Sequence, residues 1–316
     1  MKEGTWIRLL IVALPAGLLL MGVGAIVNST FYREESDLDP TEAIRLETAG
    51  LKRRPVSRDD LATSLDTLAT RIGERHLGNP DQLERAAVWI ESSLSGANMG
   101  YLVERQIYEA GGHEVRNLIA ELPGRERRDE IIVVGAHYDT VAGSPGANDN
   151  GTGVAALLSL ARAFAGDQQT RTIRFVAFVN EAPPYFKTES MGSLVYAKAC
   201  RSRGEKIVAM ISMVMLGEST DAKSMISFVG NDDSQFFADS ARTAFVRATK
   251  IPTADNGFPL DGPGERASGH ESFGQLGYPA VMVTATAAPA ADAIDLENLE
   301  SVTRGLKAVI DTWANP

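Results

Sequence analysis

I-I-V-V-G-A-H-Y-D-T-V-A-G-S-P-G-A-N-D-N-G-T-G-V-A-A-L-L, residues 131–158, is the stretch that decides the fold. Its first six residues are an unbroken apolar run ending in Gly-Ala, which reads as a strand buried on both faces. His137 and Asp139 follow just past the strand end. Asp149 comes twelve positions after His137, in a Gly/Asn turn that opens a helix. An imidazole from a strand end and a carboxylate from a helix-capping turn are how a metal-dependent hydrolase presents its ligands.

Working outward, I-R-F-V-A-F-V at 173–179 repeats the continuous apolar pattern. Strands are expected near 101–108, 115–121, 130–136, 171–179, 207–215, 225–229 and 278–284. Helices are expected from Ser57, over 81–96, and near 150–165, 189–203, 233–248 and 296–314. Strands buried on both faces and alternating with helices predict an α/β fold. It is a three-layer α/β/α sandwich around a central mixed, mostly parallel sheet, in one domain over 57–316. In such sheets, ligands bind beyond the carboxyl ends of the strands.

The 316 residues carry a net charge of −10 with acids and bases interspersed, which argues against a nucleic-acid partner. The single Cys200 excludes an intrachain disulfide framework and a cysteine-built zinc site. Residues 9–27 are nineteen consecutive uncharged residues, nearly enough to cross a bilayer core, with Trp6 and Arg8 at one edge. Residues 6–27 therefore read as a single transmembrane signal-anchor helix, with a cleaved signal peptide as the alternative. Lys2 and Arg8 place residues 1–5 in the cytoplasm. The acidic flank F-Y-R-E-E-S-D-L-D-P then begins an extracytoplasmic linker over 28–56.

Six fragments carry a resemblance: I-G-E-R-H-L-G-N-P at 72–80, H-Y-D at 137–139, G-A-N-D-N-G-T-G at 146–153, F-V-N-E at 178–181, M-G-S at 191–193 and G-Y-P-A-V at 277–281. In this order they resemble the family-28 zinc exopeptidases, the co-catalytic aminopeptidases of phosphorylase/hydrolase-like α/β/α fold. The resemblance implies two zinc ions sharing a bridging Asp and a water. It assigns His137 as a metal ligand, Asp139 as the carboxylate that orients it, Asp149 as the bridging ligand, Glu181 as general base and His270 as the second His ligand. It also implies a cis peptide bond after Asp149. The bland alternatives are a packed strand-end His, a turn Asp and a helix-capping Asp.

Departures from the family pattern matter as much. Ala182 stands where the family has a metal-binding Glu, and Val214 where it has an Asp or Glu. Gly269 replaces an Asp that commonly precedes the His, and the stretch between Thr286 and Asp295 is shorter than in relatives with an N-P-x-Y-H-T-x-x-D loop. None of Glu189, Glu218, Glu265 and Glu271 falls on a ligand position of the family. With two carboxylates missing, Asp149 alone would face the four positive charges of two Zn²⁺, which costs several kcal/mol or more in a buried pocket. At most one zinc is expected, held by His137, Asp149 and His270 with Glu181 as base, or none at all. The expected function is a membrane-anchored peptidase-like protein with lost or strongly reduced aminopeptidase activity, taking a peptide or protein N-terminus in its cleft. The alternative is an active zinc aminopeptidase.

Overall fold

Strands β1 (Val103–Ala110), β2 (His113–Leu122), β3 (Arg127–His137), β4 (Arg171–Phe178), β5 (Lys206–Met213), β6 (Ile226–Gly230) and β7 (Ala280–Ala285) form one sheet in the order β1-β2-β4-β3-β5-β7-β6. The computed structural model describes residues 52–217, 225–230, 232–254, 268–285 and 294–316. The anchor expected at 6–27 and most of the linker lie outside these residues. Among the described residues no helix is long and apolar enough to cross a membrane.

The central four strands, β4-β3-β5-β7, are parallel. The pairs β1–β2, β2–β4 and β6–β7 are antiparallel, so the sheet is evenly mixed and not mostly parallel as the apolar runs suggested. The reason is local. Gly111 and Gly112, at φ 57° and 79°, close a two-residue hairpin that forces β2 to run against β1. The β1 edge also alternates exposed and partly buried residues, unlike the continuous burial of β3.

Helices α1 (Arg58–Leu65), α2 (Pro80–Leu94), α3 (Gly153–Phe164), α4 (Gly192–Ser202), α5 (Gln235–Thr249), α6 (His270–Gln275) and α7 (Leu296–Ala314) cover the sheet. Strand alternation sorts the core into two layers. Ile132, Val134, Phe175 and Ile211 pack with Leu61, Ile90, Leu157 and Leu306 of α1, α2, α3 and α7. Val133, Val176, Phe178 and Met210 face the other way, onto Tyr196, Ala197 and Cys200 of α4 and Phe273 of α6. Cys200 is thus a core residue, and burial pushes its thiol up to about 12. The expected face of α2, Leu83, Ala86, Ala87, Ile90 and Leu94, is buried throughout.

Two local readings change. Residues 52–56, read as the end of the linker, are fastened to the domain. Lys52 N–H donates to Met99 at 2.7 Å, Arg54 N–H donates to Arg162 at 3.2 Å, and Val56 is buried. At 270–275, where no helix is expected from the sequence, the short α6 opens on His270 and precedes β7. Six residues with one polar-apolar cycle give too little periodicity to announce a helix.

Candidate active site

Parallel register gathers the motif residues. Gly135 pairs with Ser212, and His137 with Phe178, so the segments after β3, β4 and β5 leave the sheet side by side. Those segments carry Asp139, Glu181 with Ala182, and Val214. Tyr138 N–H donates to the Phe178 carbonyl at 2.9 Å, extending the β3–β4 ladder to the site.

The Asp139 carboxylate ties β3 to β4: Oδ1 accepts the Glu181 N–H at 3.1 Å and Oδ2 the Ala182 N–H at 2.8 Å. His137 Nδ1 lies 3.1 Å from the Asp139 carbonyl and 3.4 Å from its Oδ1, while Nε2 lies 3.2 Å from Asp149 Oδ1. The last separation is that of an ion pair, without the angle of a hydrogen bond. Burial alone would push the imidazole down, but Asp139 and Asp149 outweigh it and hold His137 well above its ordinary range. The Asp149–Asn150 peptide is cis, as the resemblance implied.

Asn150 fixes the position of Val214. Its Nδ2 donates to the Met213 carbonyl at 2.9 Å and its Oδ1 accepts the Met215 N–H at 3.2 Å, which grips the backbone on both sides of Val214. A Cβ at Gly153 would meet both Asn150 and the Met213 carbonyl, so the close approach needs a glycine there. Val214 and Ala182, at 1% and 4% exposure, are both buried.

Glu181 is buried, and both its oxygens are engaged by the N-terminus of α4. Ser193 N–H donates to Oε1 at 2.7 Å and Ser193 Oγ to Oε2 at 3.0 Å, with Ser272 Oγ 2.8 Å from Ser193 Oγ. Burial pushes the carboxyl up to about 7, against the lowering pull of the Ser193 hydrogen bonds and His137. The folded state then binds this proton more tightly than the unfolded chain between about pH 4.5 and 7, so stability falls as pH rises through that window. Glu181→Gln should gain about 3 kcal/mol on the wild type between pH 4 and pH 8. Urea unfolding of both proteins across that range measures it; a pH-independent difference would contradict the assigned ionisation. His270 is lowered by burial to about 4, an opposite effect shared by both proteins.

Two residues of the site carried no role in the sequence reading. Ser193 is one. Arg75, from the 72–80 fragment, is the other: fully buried, it donates to the carbonyls of Tyr138 (2.7 Å), Leu68 (3.2 Å), Gly73 (3.0 Å), Pro145 (2.6 Å) and Gly146 (3.0 Å). It thereby clamps the 138–146 segment that leads to Asp149. Burial lowers it to about 10, while Asp139 and Asp149 pull the other way. An arginine inside a G-x-R string looks like a surface charge until the fold surrounds it with carbonyls.

The structure brings together His137, Asp139 and Asp149, with Glu181 joined through Asp139. His270 opens α6 at the Glu181 end of the site, where its neighbours Gly269 and Ser272 lie against Glu181 and Ser193. His270 Nδ1 is buried without a partner, and among the described residues no three His, Cys, Asp or Glu side chains gather closely enough to hold a metal ion. His137 and Asp149 flank the end of β3, and His270 opens α6 on the α4 side of the sheet, the side from which Ser193 holds Glu181. With a methyl at 182 and an isopropyl group at 214, the donor set does not fit a pair of zinc ions.

Comparison with known proteins agrees with this geometry at the level of fold and family. The chain is 27% identical over 258 residues to the uncharacterized protein YfbL of Escherichia coli, covering 74% of this chain and 78% of that protein. It is 25% identical over 288 residues to leucine aminopeptidase 1 of Arthroderma gypseum, covering 83% and 71%. A zinc aminopeptidase from Bacillus subtilis superposes with a TM-score of 0.66 at 16% identity, covering 83% of this chain and 96% of that one. The family model for peptidase family M28 matches residues 117–304, more than half of the chain and the span from β2 to α7 that builds the site. On that match the chain belongs to peptidase family M28.

Proposed function

We propose that this chain is a membrane-anchored, extracytoplasmic member of the family whose cleft binds a peptide or protein N-terminus, with aminopeptidase activity lost or strongly reduced. One observation carries the reading: the two positions that would complete a two-zinc centre, Ala182 and Val214, are buried apolar side chains, the first with its N–H on Asp139 and the second on backbone gripped by Asn150, the residue after Asp149. A divalent pair there would leave positive charge uncompensated, since Asp149, with a side chain 48% exposed, would be the one carboxylate ligand of the set. Relatives named as leucine aminopeptidases and a zinc aminopeptidase support peptide as the ligand class. The anchor reading rests on the nineteen uncharged residues at 9–27. Protease added to intact cells should degrade the folded domain, and its survival until lysis would reverse the orientation.

A second reading keeps catalysis with a single zinc and Glu181 as base. What favours it is Glu181 itself, at the family's base position and poised near neutrality. The full chain, assayed against a panel of aminoacyl chromogenic substrates with zinc, cobalt or manganese, separates the two. No turnover with saturable peptide binding is the expected result. Turnover abolished by Glu181→Gln would overturn it.

A further inference from the structure

Beside the site, a cleft of about 360 Å³ opens between the β1–β2 hairpin turn, the loop at 76–78 and the cis-diproline loop after Ala182. Its floor includes Asp139 and Ala182; His113 and Tyr185 stand on one wall and His76 on the other. A second cavity of about 220 Å³ continues from it toward the Arg116–Glu84 pair, and the two share Leu77 and His113.

The hydrogen-bond inventory of this groove is one-sided. Both Asp139 oxygens already accept backbone N–H groups. The His76 ring is used at both ends, accepting Gly78 N–H at Nδ1 (3.0 Å) and meeting Glu74 at Nε2 (2.6 Å). The exposed His113 imidazole and the Tyr185 hydroxyl make no hydrogen bond among the described residues. Both can donate to the backbone carbonyls of a ligand, and each can also accept from its N–H groups. Tyr185 reaches this position because Gly111 has no Cβ, which would collide with the phenol.

We propose that the paired cavities meeting at His113 form a groove for an extended peptide, its backbone carbonyls taken by Tyr185 and His113, running away from the Glu181–Ala182 end of the site. This rests on the peptide-binding reading above and specifies where the chain beyond the N-terminal residue lies. At roughly 3.3 Å per residue a dipeptide extends about 7 Å and five residues about 16 Å, so the longer peptide is the one expected to pass His113 into the second cavity.

Titration calorimetry of the full chain with Ala₂-amide and Ala₅-amide tests this. The pentapeptide should bind at least about tenfold more tightly than the dipeptide. His113→Trp, at an exposed position, should reduce pentapeptide affinity to the dipeptide level, and Tyr185→Phe should weaken both. Equal affinities for the two peptides, or a pentapeptide indifferent to His113→Trp, would overturn the groove while leaving the peptide-binding reading intact. No binding of either peptide at millimolar concentration would overturn both.

Discussion

Replacing Ala182 with Glu and Val214 with Asp should turn this chain into a zinc-dependent fold. Both positions are buried at the ends of β4 and β5, next to the groups that hold Asp149. Without metal, two more carboxylates in that space repel Asp149 and lose their hydration, a cost of at least about 3 kcal/mol that urea unfolding would record. With zinc, the same carboxylates compensate the cation charge. At about a thousand times the dissociation constant, binding to the folded state alone returns about 4 kcal/mol. Zinc uptake should rise from near zero to between about one and two per chain. A double variant that folds yet takes up no zinc would show that the missing acids are not what keeps metal out. The shortened stretch between Thr286 and Asp295 would then become the cause to pursue.

Arg75→Met should be the most damaging single substitution near the site. The methionine matches much of the aliphatic stem but removes five donors at once, leaving the carbonyls of Leu68, Gly73, Tyr138, Pro145 and Gly146 without them. It also removes the buried cation that faces Asp139 and Asp149. Breaking a buried charge network from one side costs about 3–5 kcal/mol, and orphaned carbonyls add to it. Arg75→Lys keeps the charge but not the planar fork, and should recover less than half of the loss. Urea midpoints for the three proteins decide this. A loss under about 1 kcal/mol for Arg75→Met would mean that the clamp is not what holds the Asp149 segment in place.

Much of this was legible in the sequence because the decisive signals are short-range. The apolar run at 131–136 and the Gly/Asn turn around Asp149 fix a strand, a turn and a helix in sequence, and parallel register then brings Asp139 and Glu181 together. What was not legible depends on partners far apart in the chain. Asn150 secures Val214 across more than sixty residues, Ser193 engages Glu181 through the N-terminus of another helix, and Arg75 finds its carbonyls on three segments. That His270 opens a helix was hidden for a related reason. A histidine after Ser-Gly can open a helix or follow a strand, and only packing of α6 under β7 decides which. The sheet was misjudged at its β1 edge, where an antiparallel strand with exposed positions lacks the continuous apolar run that marks the centre.

The most direct test is the metal content of the folded wild-type chain after expression and purification in zinc-replete buffer. A cleft floored by a methyl and an isopropyl group predicts less than about 0.2 zinc per chain. Two fully occupied zinc ions, bonded to His137 and Asp149 at about 2.0–2.2 Å, would contradict it.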